Sequence, residues 1–318
     1  MNTVTRKLCT SAIAVATILV PSMAPAAQLS SDAKSAIPKD VQQLIVVDYR
    51  AMQNSTAAMD LKERVLPPEL KRLETALKSS GLKVDQDADV LAFAAFRDGA
   101  KGTRIVGIAQ GQFHTREIMA NFTKNKIKPT VVRNTSVYPM GSNGMSVIFL
   151  NQTTMIFGDK DAVLAAIDAR DGIVPDFLSN TDMVNEMAAV DSKAVWSLLD
   201  AKGTQTMMRG VLGDAAQLTD YDTVRDRMKS SRYTMDFQNG VKFDMAVVMS
   251  DTLTAATAAT LMKGVSLVKK TTGTPLEKTA MDQTSIDSSS GTLTVAYSSS
   301  DSQFATLLSS PLFQSVVK

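Results

Sequence analysis

Between Arg232 and Met249 the chain spells out a β-hairpin, and this segment limits the available folds more than any other. Val241, Phe243, Met245 and Val247 alternate with Lys242 and Asp244, which is the period-2 pattern of a strand with one buried and one wet face. Asn239-Gly240 precedes that strand. Both central residues of a type I′ turn need positive φ, and Asn and Gly reach it at least cost. Ser250 or Asp251 then caps a helix with the stripe Ala258, Leu261, Met262, Val265 and Val268, ending at Lys269-Lys270 before Gly273 and Pro275. A hairpin followed directly by a capped helix belongs to the α+β class.

The earlier part of the chain carries the same order. Leu44 to Val47 reads as a buried strand ending at Asp48, and Ala194 to Leu199 as one ending at Asp200. A helix after Pro67-Pro68 presents Leu70, Leu73 and Leu77, with Gly81 at the position that accepts a left-handed backbone. Val90 to Phe96 and Ile105 to Phe113 flank Asp98-Gly99, and Thr115 is placed to cap a helix bearing Ile118, Met119 and Phe122. Strands over 131–138, 145–150 and 153–157 and a helix over 161–169 complete this part. In the second part a helical stretch lies within 206–229, strands follow at Ile286 and over 292–297, and a last helix begins after Asp301. Strand, helix, hairpin, helix, strands, helix thus occurs twice. The expectation is a structural duplication: two similar halves, each an antiparallel or mixed sheet with helices on one face. The order is also that of split βαβ, ferredoxin-like units, a topological likeness that implies no function. The halves span 41–172 and 193–318, with a linker over 28–40 and a connector over 173–192, and either a cleft or a continuous sheet is expected between them.

Residues 1–27 read as a cleavable export signal. Arg6 and Lys7 are followed by an uncharged stretch from Leu8 to Val20, a break at Pro21, and Ala24-Pro25-Ala26, with cleavage expected after Ala26 or Ala27. The stretch is shorter than the ~20 apolar residues a membrane span requires. Cleavage would remove Cys9, the single cysteine, and leave basic and acidic side chains equal in number. A periplasmic or secreted chain without disulfides, stabilised by packing alone, is therefore expected, with no transmembrane helix and no nucleic-acid partner.

Little in the sequence carries chemistry. His114 is the single histidine, so zinc would have to rely on carboxylates beside it. Asp85-Gln86-Asp87-Ala88-Asp89 opens like a calcium loop, but Val90 and Phe96 stand where Gly and Glu are needed. Asp222 and Asp226 flank Arg225 and read as salt-bridge partners. Ser31-x-x-Lys34 and Ser266-x-x-Lys269 lack the companion motifs of penicillin-interacting enzymes. No cofactor and no metal site is expected. Charge is uneven: Arg97, Lys101, Arg104, Arg116, Lys124, Lys126, Lys128 and Arg133 form a basic stretch, and 159–200 an acidic one. Either the two stretches face each other, or the first binds an anion. On the second reading His114, Arg116, Lys124, Lys126 and Lys128 are the candidate binding residues. The functional reading is a non-catalytic binding or structural module of the cell envelope, with an envelope protein or a small apolar or anionic ligand as partner. Two alternatives remain: a carboxylate-based hydrolase acting on an anionic substrate, and a hydrophobic-ligand carrier with a Met- and Leu-lined cavity of roughly several hundred Å³.

Overall fold

The computed structural model describes residues 28–66, 68–99, 102–141, 144–212 and 221–310, and the proposed signal over 1–27 lies outside them, as do Pro67, Lys101, Asn143 and Asp220. Twelve strands alternate with thirteen helices among the described residues. The strands are β1 (Val41–Asp48), β2 (Ala88–Arg97), β3 (Thr103–Gly111), β4 (Thr130–Val132), β5 (Thr135–Met140), β6 (Met145–Phe149), β7 (Thr154–Asp159), β8 (Val195–Leu199), β9 (Met228–Asp236), β10 (Val241–Met249), β11 (Thr284–Ser289) and β12 (Thr292–Ser299). The helices are α1 (Ser31–Ser35), α2 (Tyr49–Gln53), α3 (Thr56–Val65), α4 (Pro68–Ser79), α5 (Val84–Asp87), α6 (Thr115–Lys124), α7 (Lys160–Arg170), α8 (Thr181–Met187), α9 (Ala201–Leu212), α10 (Tyr221–Arg225), α11 (Thr252–Thr272), α12 (Pro275–Asp282) and α13 (Asp301–Leu308).

All strands join one sheet in the order β11-β12-β10-β9-β8-β1-β2-β3-β7-β6-β5-β4, and every pairing is antiparallel. The two parts of the chain meet where β1 pairs with β8, Leu44 opposite Leu198 and Val46 opposite Trp196. The sheet therefore runs through the junction without a break. At the β9–β10 turn Asn239 and Gly240 both have positive φ, +59° and +97°. A second tight turn, unanticipated from sequence, joins β4 to β5 through Arg133 and Asn134, both left-handed.

Side chains alternate between two faces of the sheet. On one face Leu44, Val46, Ala92, Ala94, Phe96, Val106, Ile108, Ile156, Trp196 and Leu198 pack beneath α1, α7 and α8. On the opposite face Ala109, Val147, Met155 and Phe157 pack beneath Leu73 and Leu77 of α4 and Ile118 and Phe122 of α6. That second face continues across β9, β10 and β12, where Met245, Val247, Leu293 and Val295 lie under Met208 of α9, Val224 of α10 and Ala255, Ala258, Ala259 and Met262 of α11. Phe304 and Leu308 of α13 pack there with Val241 and Ala57. The expectation of helices on one face therefore holds for the second part only. In the first part they cover both faces, because β2, β3 and β7 are apolar on both sides. Val268, read from sequence as part of the inward stripe of α11, is 59% exposed. The segment between the two parts is not plain connector: it holds a 3-10 turn over Phe177–Ser179 and α8, capped by Asn180.

Candidate functional site

Arg97, Arg104 and Arg133 of the basic stretch meet the acidic one directly. Arg97 bonds Asp200 at 2.5 Å, Arg133 bonds Asp168 at 2.7 Å, and Arg104 reaches Asp98, Asp159 and Asp161 at 2.6, 3.0 and 2.8 Å. These contacts join β2 to the turn after β8, β3 to the start of α7, and the β4–β5 turn to the end of α7. Asp222 and Asp226 likewise bond Arg225. The residues left over are those chosen from sequence. His114 is the N-cap of α6, without a side-chain cap bond, and Arg116 lies in its first turn. Lys124 ends the helix, and Lys126 and Lys128 follow it. All five are exposed, but α6 separates His114 and Arg116 from the three lysines by about 15 Å of helix. The structure does not gather them into one site.

A groove of about 900 Å³ does form, at the end of the sheet where the two parts meet. Its walls are strand ends: Asp48 of β1, Asp89 and Val90 of β2, Gln110 and Gly111 of β3, Thr154 of β7 and Asp236 of β9, with Arg50 and Met52 from α2. Each is placed by local chemistry. Asp48 is 8% exposed and accepts the Ala51 amide at 2.8 Å, which ends β1 and starts α2. Arg50, in the first turn of α2, pairs with Asp89. The Gln110 side-chain oxygen accepts the Ser30 amide at 2.9 Å and its nitrogen donates to the Gln28 carbonyl at 3.3 Å, which draws the N-terminal segment over the groove. Gly111 is required here, since a Cβ would lie 1.9 Å from the Asp87 carbonyl oxygen. Asp236 accepts the Gln238 amide at 2.8 Å.

Three carboxylates, one guanidinium and a set of amides and hydroxyls make this a hydrogen-bonding surface with an acidic excess. The hydroxyls are occupied: Ser30 accepts the Ala33 amide, Ser55 the Ala58 amide, and Thr153 donates to Asn151. No histidine lines the groove, and no cluster of three or more metal-ligating side chains forms among the described residues. A second, apolar cavity lies between α4 and the sheet, lined by Leu66, Leu70, Leu73, Leu77, Phe113 and Phe157, and holds about 50 Å³. Lys62 and Glu74 stand at its edge. Burial there pulls the Lys62 pKa down, but the bond to the Tyr49 hydroxyl and the charge of Glu74 outweigh it and leave it raised. Sequence reasoning missed the groove because its residues come from strand ends far apart in the chain. The one local signal was Asp48 at the end of an apolar run.

No protein-family model matches the chain, and no curated protein does. Among solved structures it is similar to TP0453 in crystal form I, with a TM-score of 0.52 and 8% identity over 87% of this chain and 96% of that one. Crystal forms III and IV of TP0453 match at 0.47 with 10% and 9% identity. The crystal form I likeness extends to the mixed α+β fold with its large antiparallel sheet and says nothing further. No helix among the described residues is long and apolar enough to cross a membrane.

Proposed function

We propose that the chain is an exported, non-catalytic binding protein whose ligand site is the groove at the end of the sheet. The observation that carries this reading is the groove's lining: Asp48, Asp89 and Asp236 against Arg50, with amides around them, in a space of about 900 Å³. That volume falls within the usual range for small-ligand sites. The acidic excess favours a ligand with an amine or several hydrogen-bond donors, such as a short basic peptide or a polyamine. An anion would find one cation, already paired with Asp89. An apolar ligand would find a cavity of about 50 Å³, well below the roughly 300 Å³ at which ligand pockets begin.

Binding is tested by calorimetry with spermidine and with lysine-containing tripeptides. The expected result is saturable binding that falls at least about tenfold in Asp236→Asn and is unchanged in Lys126→Ala. Binding that ignores Asp236 but follows Lys126, or turnover of an anionic ester that depends on Asp48 and Asp89, would overturn the reading. Export rests on Arg6-Lys7, the uncharged run to Val20 and Ala24-Pro25-Ala26. N-terminal sequencing of protein from a periplasmic fraction should begin at Ala27 or Gln28; an intact Met1 in the cytosolic fraction sinks that part. We also propose that the two parts arose by duplication. The support is strand order: β1-β2-β3-β7-β6 runs outward from the junction as β8-β9-β10-β12-β11 does.

A further inference from the structure

α11 has an outer face that its own chain leaves uncovered. Its inner side, Ala255, Ala258, Ala259 and Met262, is buried in the core. The line most remote from that side carries Leu253, Thr257, Thr260, Gly264, Leu267 and Thr271, with Ala256 and Val268 flanking it, and all eight residues are exposed. None is charged, and Leu253, Leu267 and Val268 are 77%, 65% and 59% exposed. The threonines are less polar than their names suggest. The hydroxyls of Thr257, Thr260 and Thr271 donate back to the carbonyls of Leu253, Ala256 and Leu267 at 2.9, 2.9 and 2.8 Å, so the groups left for a neighbour are largely methyls. Gly264 has no heavy atom within 4 Å of the place its Cβ would take. A glycine inside a helix costs about 1 kcal/mol relative to alanine, and no contact within this chain calls for it. Surface helices ordinarily turn charged side chains outward, and a contiguous apolar line marks a contact surface.

The line is self-complementary. Leu253 lies seven residues before Thr260 and Leu267 seven after; Ala256 lies four before and Gly264 four after. Two copies of α11 laid antiparallel across a twofold axis at Thr260 would set each Leu253 against the other copy's Leu267. Each Ala256 would meet a Gly264, letting the axes approach to about 8 Å. The same register sets Asp251, nine residues before the axis, against Lys269, nine after it, and opposes the helix dipoles favourably. From this pattern, the charge match and the glycine no intrachain contact explains, we propose that this face of α11 is an isologous interface between two copies of the chain. It would be a modest one, at or below about 1,200 Å² in total, so association in the micromolar range is expected.

The test uses the full chain carrying Cys9→Ser, which leaves no cysteine. Sedimentation equilibrium up to about 100 µM should give twice the monomer mass. The double variant Leu253→Glu, Leu267→Glu should weaken association at least about tenfold, and Gly264→Leu should do so through bulk alone. Both changes sit at exposed positions, so circular dichroism should remain native. Thr260→Cys alone should cross-link to itself on oxidation, and Ser302→Cys on α13 should not. A chain that stays monomeric, a dimer indifferent to the two glutamates, or a Thr260→Cys dimer that does not cross-link overturns the proposal. So does a monomer that floats with phosphatidylglycerol vesicles and loses this in the double variant, since the face would then belong to a lipid surface.

Discussion

The two parts of the sheet share an order of strands but differ in what covers them. Beside β2, β3 and β7 helices lie on both faces. Beside β9, β10, β12 and β11 they lie on one, and the other presents Arg232, Thr234, Lys242, Asp244, Thr294, Ser298, Ser285 and Asp287, none of them buried. The difference lies in the last helix of each part. α7 follows β7 and packs on the face of Ile156; α13 follows β12 and packs with Val241 on the opposite face. An antiparallel sheet tolerates a wet face, so the second arrangement needs no partner to be stable. The cores differ as well. Phe93 and Phe157 (5.9 Å between centroids) and Phe113 and Phe149 (6.0 Å) meet edge to face under α4 and α6. Met208, Met228, Met245, Met249 and Met262 fill the corresponding layer under α9 and α11. Aromatic pairs impose a geometry, whereas methionine adapts to the space it is given. One strand order can thus support a rigid covered half and a more plastic open one.

The largest expected effect separates the covered face from the open one. Ile156→Ala opens a cavity beneath α7 and should cost about 3–4 kcal/mol, whereas Thr294→Ala, exposed on the same face of β12, should cost less than about 0.5 kcal/mol in urea denaturation. Equal losses would break the comparison. Next come the two hairpin turns. At Gly240, φ is +97° and an added Cβ would stand 2.4 Å from the Ser299 carbonyl oxygen; at Gly99, φ is +49° and the space is open. Gly240→Ala should cost about 2–3 kcal/mol and Gly99→Ala about 1, read by thermal melting. The smallest effect is electrostatic and confined to the second part. Glu277 closes a capping box with Thr274 and bonds Lys269, and that ion-paired hydrogen bond, ahead of the bond from the Thr274 amide, lowers its pKa to about 2. A depressed carboxyl contributes fully above its ordinary value of 4.5 and loses that contribution as pH falls toward 2. Glu277→Gln should flatten the acid limb of stability over that window and leave neutral pH nearly unaffected; an unchanged limb would remove Glu277 from it.

Much of the fold was readable because its signals are local. The Asn239-Gly240 turn, the Gly81 helix stop and the Asp251 cap, whose carboxyl the Thr254 amide holds well below the usual range, all act within a few residues. Some local signals went unread. Ser55 caps α3, Asn180 caps α8, and Thr274-Pro275-x-Glu277 starts α12, where Pro275 had been taken as a terminator rather than a first-turn residue. Thr115 was expected to cap α6, but His114 holds that position.

The sequence by itself determined the α+β class, the hairpins and the wet face of β10, since Lys242 and Asp244 alternate with buried neighbours whatever the rest of the chain does. Tertiary structure alone decided the joining of β1 to β8, the side of the sheet that α7 and α13 take, and the gathering of Asp48, Asp89 and Asp236 at one end. Turns and periodicity are properties of neighbouring residues. Strand partners and groove walls are set by packing between segments more than a hundred residues apart, and no local pattern records that.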